Sequence, residues 1–188
     1  MRKPTAKELF SIPNILSYIR LLLIPLFLYI SLTAHTRADH YLAACIVLLS
    51  GLTDFADGFI ARRFHMVTDF GKGLDPVADK LTQAAIVIVL MFKVQWMFLV
   101  FILFVIKELT MGASYLFLCR KGRKLNGALW FGKVSTTVFY VATFLMIAVP
   151  DENVGLLYTL MAISAAFLLF SFIMYLRVYL QMYRSVEK

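Results

Sequence analysis

Of 188 residues, 61 % are hydrophobic and only 16 % charged, whereas a water-soluble domain is about half apolar and about one quarter charged. The mean hydropathy of +0.81 points to lipid as the solvent. A net charge of +8 does not signal nucleic-acid binding here, because Lys and Arg sit in short clusters between apolar runs rather than in one basic region.

Taken in chain order, the first residues, 1–14, are basic and then amphipathic, and no small-residue cleavage pattern follows the first apolar run, so that run is expected to stay in the mature protein. Six stretches reach the roughly 20 apolar residues that a membrane helix needs: Ile15–Ala34, Tyr41–Ile60, Leu74–Phe92, Trp96–Cys119, Leu129–Pro150 and Leu156–Met174. Three of them carry polar residues at one end, so hydropathy alone would count five or four. Ser11 or Asn14 suits the start of the first span, and Pro25 is expected to bend it. Pro76 directly after Asp75 predicts Asp75 as an N-cap or first-turn residue. The expected fold is an all-α integral membrane protein: six transmembrane helices after an N-terminal amphipathic segment, forming a single domain over residues 1–188.

Basic residues set the orientation. Arg2, Lys3 and Lys7 precede span one, Arg62, Arg63 and Lys72 follow span two, Arg120, Lys121, Arg123 and Lys124 follow span four, and Arg184 and Lys188 end the chain. The alternate connections carry mainly Arg37 and Lys93, beside Asp151 and Glu152. By the positive-inside rule both termini are cytoplasmic, in what is expected to be a bacterial inner or cell membrane. Cys45 and Cys119 lack metal-site or redox spacing and read as packing residues. His35, His40 and His65 have no partner spacing for metal or acid–base work. Trp96, Trp130, Tyr41, Tyr158 and Tyr183 lie near span ends, where aromatic rings favour the headgroup region.

Residues 54–80 carry what an apolar helix should not. Asp54 and Asp57 are three apart and Asp75 and Asp79 four apart, so each pair shares one face of its helix. An ionised carboxylate in a membrane segment requires a partner or a metal. Gly58 and Ala61 keep the first face shallow, Arg62 completes the stripe, and Gly71 and Gly73 let the two faces meet. An all-oxygen set of this kind suits Mg²⁺ or Mn²⁺, with two ions expected. Bound ions of that class clamp pyrophosphate oxygens, while a carboxylate not committed to metal accepts a proton from a hydroxyl. The competing structural reading pairs the aspartates with Arg62, Arg63, Lys72 and Lys80. An ion channel or transporter also places carboxylates in membrane helices, but a pathway needs polar positions continuing to the far side, and the outer halves of these spans are apolar.

The spacing Asp54-x₂-Asp57-Gly58-x₂-Ala61-Arg62-x₈-Gly71-x₃-Asp75-x₃-Asp79 resembles the signature of the CDP-alcohol phosphatidyltransferase family at every fixed position, and Pro13-Asn14, Arg20 and Gly132-Lys133 extend the resemblance over most of the chain. The resemblance implies a six-helix membrane enzyme, generally homodimeric, that takes a CDP-linked lipid such as CDP-diacylglycerol and releases CMP. It implies that Asp54, Asp57 and Asp75 hold the metal ions, with Asp79 in the metal site or acting as catalytic base. Asp54, Gly58, Ala61, Arg62, Gly71 and Asp75 would bind the CDP donor. The stretches 74–80 and 132–136 are most similar to members whose acceptor is glycerol 3-phosphate, for which Lys107, Arg120 and Lys133 are the candidate phosphate-binding residues. Span four departs from the related pattern, with Lys107-Glu108 where Arg-Glu is common and Tyr115 where a second Arg stands. Phosphatidylglycerol is the alternative acceptor, ahead of serine or inositol phosphate.

Overall fold

The computed structural model describes residues 9–64, 66, 68, 70–121, 129–149 and 153–184, apart from the side chains of Arg62 and Lys72. The basic segment 1–8, His65, Arg123, Lys124, Pro150 to Glu152 and Lys188 therefore lie outside the described residues. Six helices follow in order: α1 Ile12–Leu32, α2 Arg37–Arg63, α3 Gly71–Lys93, α4 Met97–Arg120, α5 Trp130–Ala148 and α6 Val154–Arg184. No strand occurs among the described residues.

All helices except α3 are long and apolar enough to cross a membrane. α3 falls short in composition, not length: its 23 residues rise about 35 Å, enough for a hydrocarbon core of about 30 Å. Its Asp75, Asp79, Lys80 and Gln83 are accommodated because α3 is flanked by α1, α4 and α5. α1 packs on α2 and α3, α2 on α5, α5 on α6, α6 on α4, and α4 on α3, which closes the bundle.

Helix starts are explained locally. Thr36 and Asp39 form a capping box on α2, the Thr36 hydroxyl accepting from the Asp39 amide at 3.3 Å and Asp39 Oδ2 from the Thr36 amide at 2.8 Å. Ser11 stands at the N-cap of α1 but makes no side-chain cap bond, while Pro13 fits the first turn. The expectation for span three is corrected: α3 begins at Gly71, so Asp75 is not its N-cap and Pro76 lies inside the helix. The Gly71 amide donates to Thr68 Oγ1 at 2.9 Å, which supplies an earlier start, and Pro76 gives up only the bond to the Lys72 carbonyl. At the other end, Lys93 Nζ donates to the Val149 carbonyl at 2.5 Å, covering an oxygen at the C-terminus of α5.

The last span is also corrected. α6 continues past Met174 to Arg184 and reaches 31 residues, about 46 Å. The extra turns bury Tyr175 and Tyr179 against Leu118 of α4 and Phe131 of α5. Tyr175 explains Gly132: a Cβ there would fall 3.0 Å from Cε2 and Cζ of the Tyr175 ring and closer still to its hydroxyl. Gly132→Ala is expected to cost about 1–3 kcal/mol, as overpacking does, and to lower the apparent melting temperature of the detergent-solubilised protein.

Candidate active site

The described polar side chains inside the bundle concentrate toward the end formed by the N-termini of α1, α3 and α5 and the C-termini of α2, α4 and α6. Arg20, eight residues into α1 and so about 12 Å from its start, is 0 % exposed. Its Nη1 donates to Asp54 Oδ1 at 2.5 Å and its Nη2 to Asp57 Oδ2, so one guanidinium spans both carboxylates of α2. Asp57 is 3 % exposed, whereas the Asp54 side chain keeps 35 % of its surface accessible. The i, i+3 spacing of the pair lets a rigid fork hold both at once.

Ser17, one turn before Arg20, joins the two acidic helices. Its hydroxyl lies 2.6 Å from Asp75 Oδ1 and 3.5 Å from Asp57 Oδ2, and also 3.2 Å from the Pro13 carbonyl. Asn14 donates to Thr68 Oγ1 at 3.3 Å. A Cβ on Gly71 would meet Asn14 Oδ1 at 2.5 Å, so the missing side chain lets the start of α3 approach α1. Gly58 and Ala61 are partly exposed on the next turn of α2. The side chain of Arg62 lies outside the described residues.

Asp79, one turn deeper than Asp75, has a different set of partners. Gln83 Nε2 lies 3.1 Å from each of its oxygens, the Tyr140 hydroxyl of α5 donates to Oδ1 at 3.0 Å, and Lys80 Nζ is 3.7 Å from Oδ2. Lys80 continues to Glu108 Oε1 at 3.0 Å, and Lys107 reaches the same oxygen at 3.3 Å. Lys107 and Glu108 sit in the middle of α4, and Lys107 is 6 % exposed. Arg120 is exposed at the end of α4, 13 residues beyond Lys107 and so about 20 Å along the axis. It does not join this network. Lys133 is exposed near the start of α5, two turns from Tyr140 and on the same face.

The structure thus brings Asp54, Asp57 and Asp75 together through Arg20 and Ser17, and sets Asp79 beside Lys80, Gln83 and Tyr140. Among the described residues no three of these groups close around a common point as metal ligands. The charge balance nevertheless fits a divalent cation. Asp54, Asp57 and Asp75 face one guanidinium, which leaves two negative charges without a described counter-charge, and every donor is a hard oxygen. Neither Arg20, Ser17, Gln83 nor Tyr140 was singled out as a site residue from sequence. Only Arg20 offered a signal, as an ionisable residue within a membrane span.

An integral membrane protein of six helices, with carboxylates from two of them gathered at one end around a buried cation, is an architecture for handling a charged group at a lipid surface. The chain belongs to the CDP-alcohol phosphatidyltransferase family, whose model matches residues 10–181. Members of this family generally depend on divalent metal. Over 173 residues it is 32 % identical to the CDP-diacylglycerol–glycerol-3-phosphate 3-phosphatidyltransferases of Shigella flexneri and Escherichia coli K12. The match covers 89 % of this chain and 93 % of each relative.

Proposed function

We propose that this chain transfers the phosphatidyl group of CDP-diacylglycerol to glycerol 3-phosphate and releases CMP. It would do so as a homodimer at the cytoplasmic face of a bacterial cell membrane. The observation that carries this reading is the meeting of Asp54, Asp57, Asp75 and Asp79 at one end of the bundle, on the spacing that marks the family. The printed activity of the relatives names donor and acceptor. The opposite end favours an enzyme over a transport pathway, because Ile86, Leu90, Met97 and Met146, each 0 % exposed, fill the interior there with apolar atoms.

In this reading Asp54, Asp57 and Asp75 hold Mg²⁺ or Mn²⁺, and Asp79 stands at the edge of that site. When bound, such ions neutralise the pyrophosphate oxygens and the charge that develops on the leaving CMP. Arg20 bridges and aims the α2 carboxylates, and Ser17 ties Asp57 to Asp75. The partly exposed Gly58 and Ala61 leave room on α2 for the nucleotide beside Gly71, and the family spacing assigns Arg62 to the same donor. The acceptor oxygen forms a bond to the phosphatidyl phosphorus while the bond from that phosphorus to the bridging oxygen breaks, and CMP departs with the bridging oxygen. Asp79 accepts the proton of the attacking hydroxyl. Lys80 and Lys107, held close to Asp79 by Glu108, supply positive charge for an anionic acceptor, and Lys133 lines the approach along α5. Orientation follows the described basic residues at the carboxylate end, Arg63, Arg120, Lys121, Lys133 and Arg184.

The test offers purified protein labelled CDP-diacylglycerol and Mg²⁺ or Mn²⁺, with glycerol 3-phosphate, phosphatidylglycerol, serine or inositol phosphate as acceptor. CMP and phosphatidylglycerophosphate are expected with glycerol 3-phosphate alone. Product with phosphatidylglycerol instead would reassign the acceptor, and no CMP with any of them would refute the reaction.

A further inference from the structure

Asp79 is held unlike the other three carboxylates. Asp54 and Asp57 are bridged by a guanidinium, and Asp75 takes the Ser17 hydroxyl, all from α1. Asp79 takes nothing described from α1. Its bonded donors are the Gln83 carboxamide one turn along the same helix and the Tyr140 phenol, brought 61 residues away in sequence by α5. Both are uncharged, and the nearest described cation, Lys80, stands 3.7 Å from Oδ2.

A carboxylate offers about four lone-pair directions. Tyr140 and Gln83 account for three contacts, two on Oδ1 and one on Oδ2, so among the described residues one direction on Oδ2 carries no hydrogen bond and has only the looser Lys80 contact at 3.7 Å beside it. Neutral donors restrict rotation of the carboxylate without cancelling its charge. A group meant only to balance charge would instead be paired as Asp54 and Asp57 are. We propose that Tyr140 is a positioning residue for the transfer reaction: with Gln83 it fixes Asp79 so that the remaining lone pair faces the acceptor hydroxyl. The inference rests on the reading of Asp79 as the proton acceptor. The bond belongs to orientation, which acts on the reacting geometry and not on how tightly either substrate binds.

Tyr140→Phe keeps the ring and removes only the donor. Loss of a hydrogen bond to a charged group predicts a fall in kcat of roughly 10- to 100-fold, with KM for CDP-diacylglycerol and for glycerol 3-phosphate each within about twofold of the parent. The fold should persist, with at most a small drop in the apparent melting temperature. Gln83→Leu removes the other donor and should show the same split, which keeps the test decisive if one variant folds poorly. A kcat within about twofold of the parent in both variants, or a loss in which both KM values rise along with kcat falling, overturns the positioning role. Parent protein that releases no CMP with any acceptor is a distinct result: it refutes the reaction itself, and the inference falls with it.

Discussion

Asp57→Asn is expected to reduce CMP release from CDP-diacylglycerol by roughly 10²- to 10³-fold or more, the scale seen when one preorganised electrostatic contact to a transferring group is lost. Asn preserves the shape of the side chain and keeps one oxygen for Arg20. Arg20 also retains Asp54 at 2.5 Å, so the buried guanidinium is not stranded. The bundle should stay folded, with unchanged helical circular dichroism and elution in detergent. What is lost is the negative charge at the most buried carboxylate of the cluster, where Asp57 lies 3 % exposed between Arg20 and Ser17. Activity close to the parent at saturating Mg²⁺ would show that Asp57 has no part in holding an ion.

Arg20→Leu is expected to act on the fold as well as the reaction. It fills similar space but removes the cation shared by Asp54 and Asp57, and breaking a buried ion pair from one side costs about 3–5 kcal/mol. Thermal unfolding in detergent with EDTA should therefore begin at a clearly lower temperature than for the parent. Added Mg²⁺ should recover part of that loss, because a divalent ion at the same carboxylates replaces the missing charge. Arg20→Lys should recover less than its formal charge suggests, since a single ammonium cannot reproduce the fork that reaches both carboxylates. Equal stability of parent and Arg20→Leu in EDTA would mean that the pair carries no net stabilisation.

The limits of sequence reading follow from where each signal resides. Six spans, their order and the pairing of Asp54 with Asp57 and of Asp75 with Asp79 were legible because hydropathy and helical spacing are local. The start of α3 was not, since Pro76 suggested a beginning at Asp75 while the cap comes from Thr68. α6 was cut short at Met174 because its last turns look polar along the chain. In space Tyr175 and Tyr179 turn inward against α4 and α5. Lys107-Glu108 falls mid-span in the sequence as in the helix, but its support by Lys80 of α3 comes from a different span. Arg20, Ser17 and Tyr140 lie 34 to 61 residues from the carboxylates they hold. No periodicity within one helix announces such a contact, and among nine tyrosines nothing local distinguishes Tyr140.

Asp54, Asp57 and Asp75, with one guanidinium among them, are expected to gather divalent cations at the membrane surface. Mn²⁺ binding to the purified protein, followed by electron paramagnetic resonance with and without CDP-diacylglycerol, tests it without relying on turnover. The expected result is saturable binding that Mg²⁺ displaces and Asp57→Asn abolishes or weakens strongly. No bound Mn²⁺ in the parent protein even with the donor present, or equal binding in parent and Asp57→Asn, would contradict the claim.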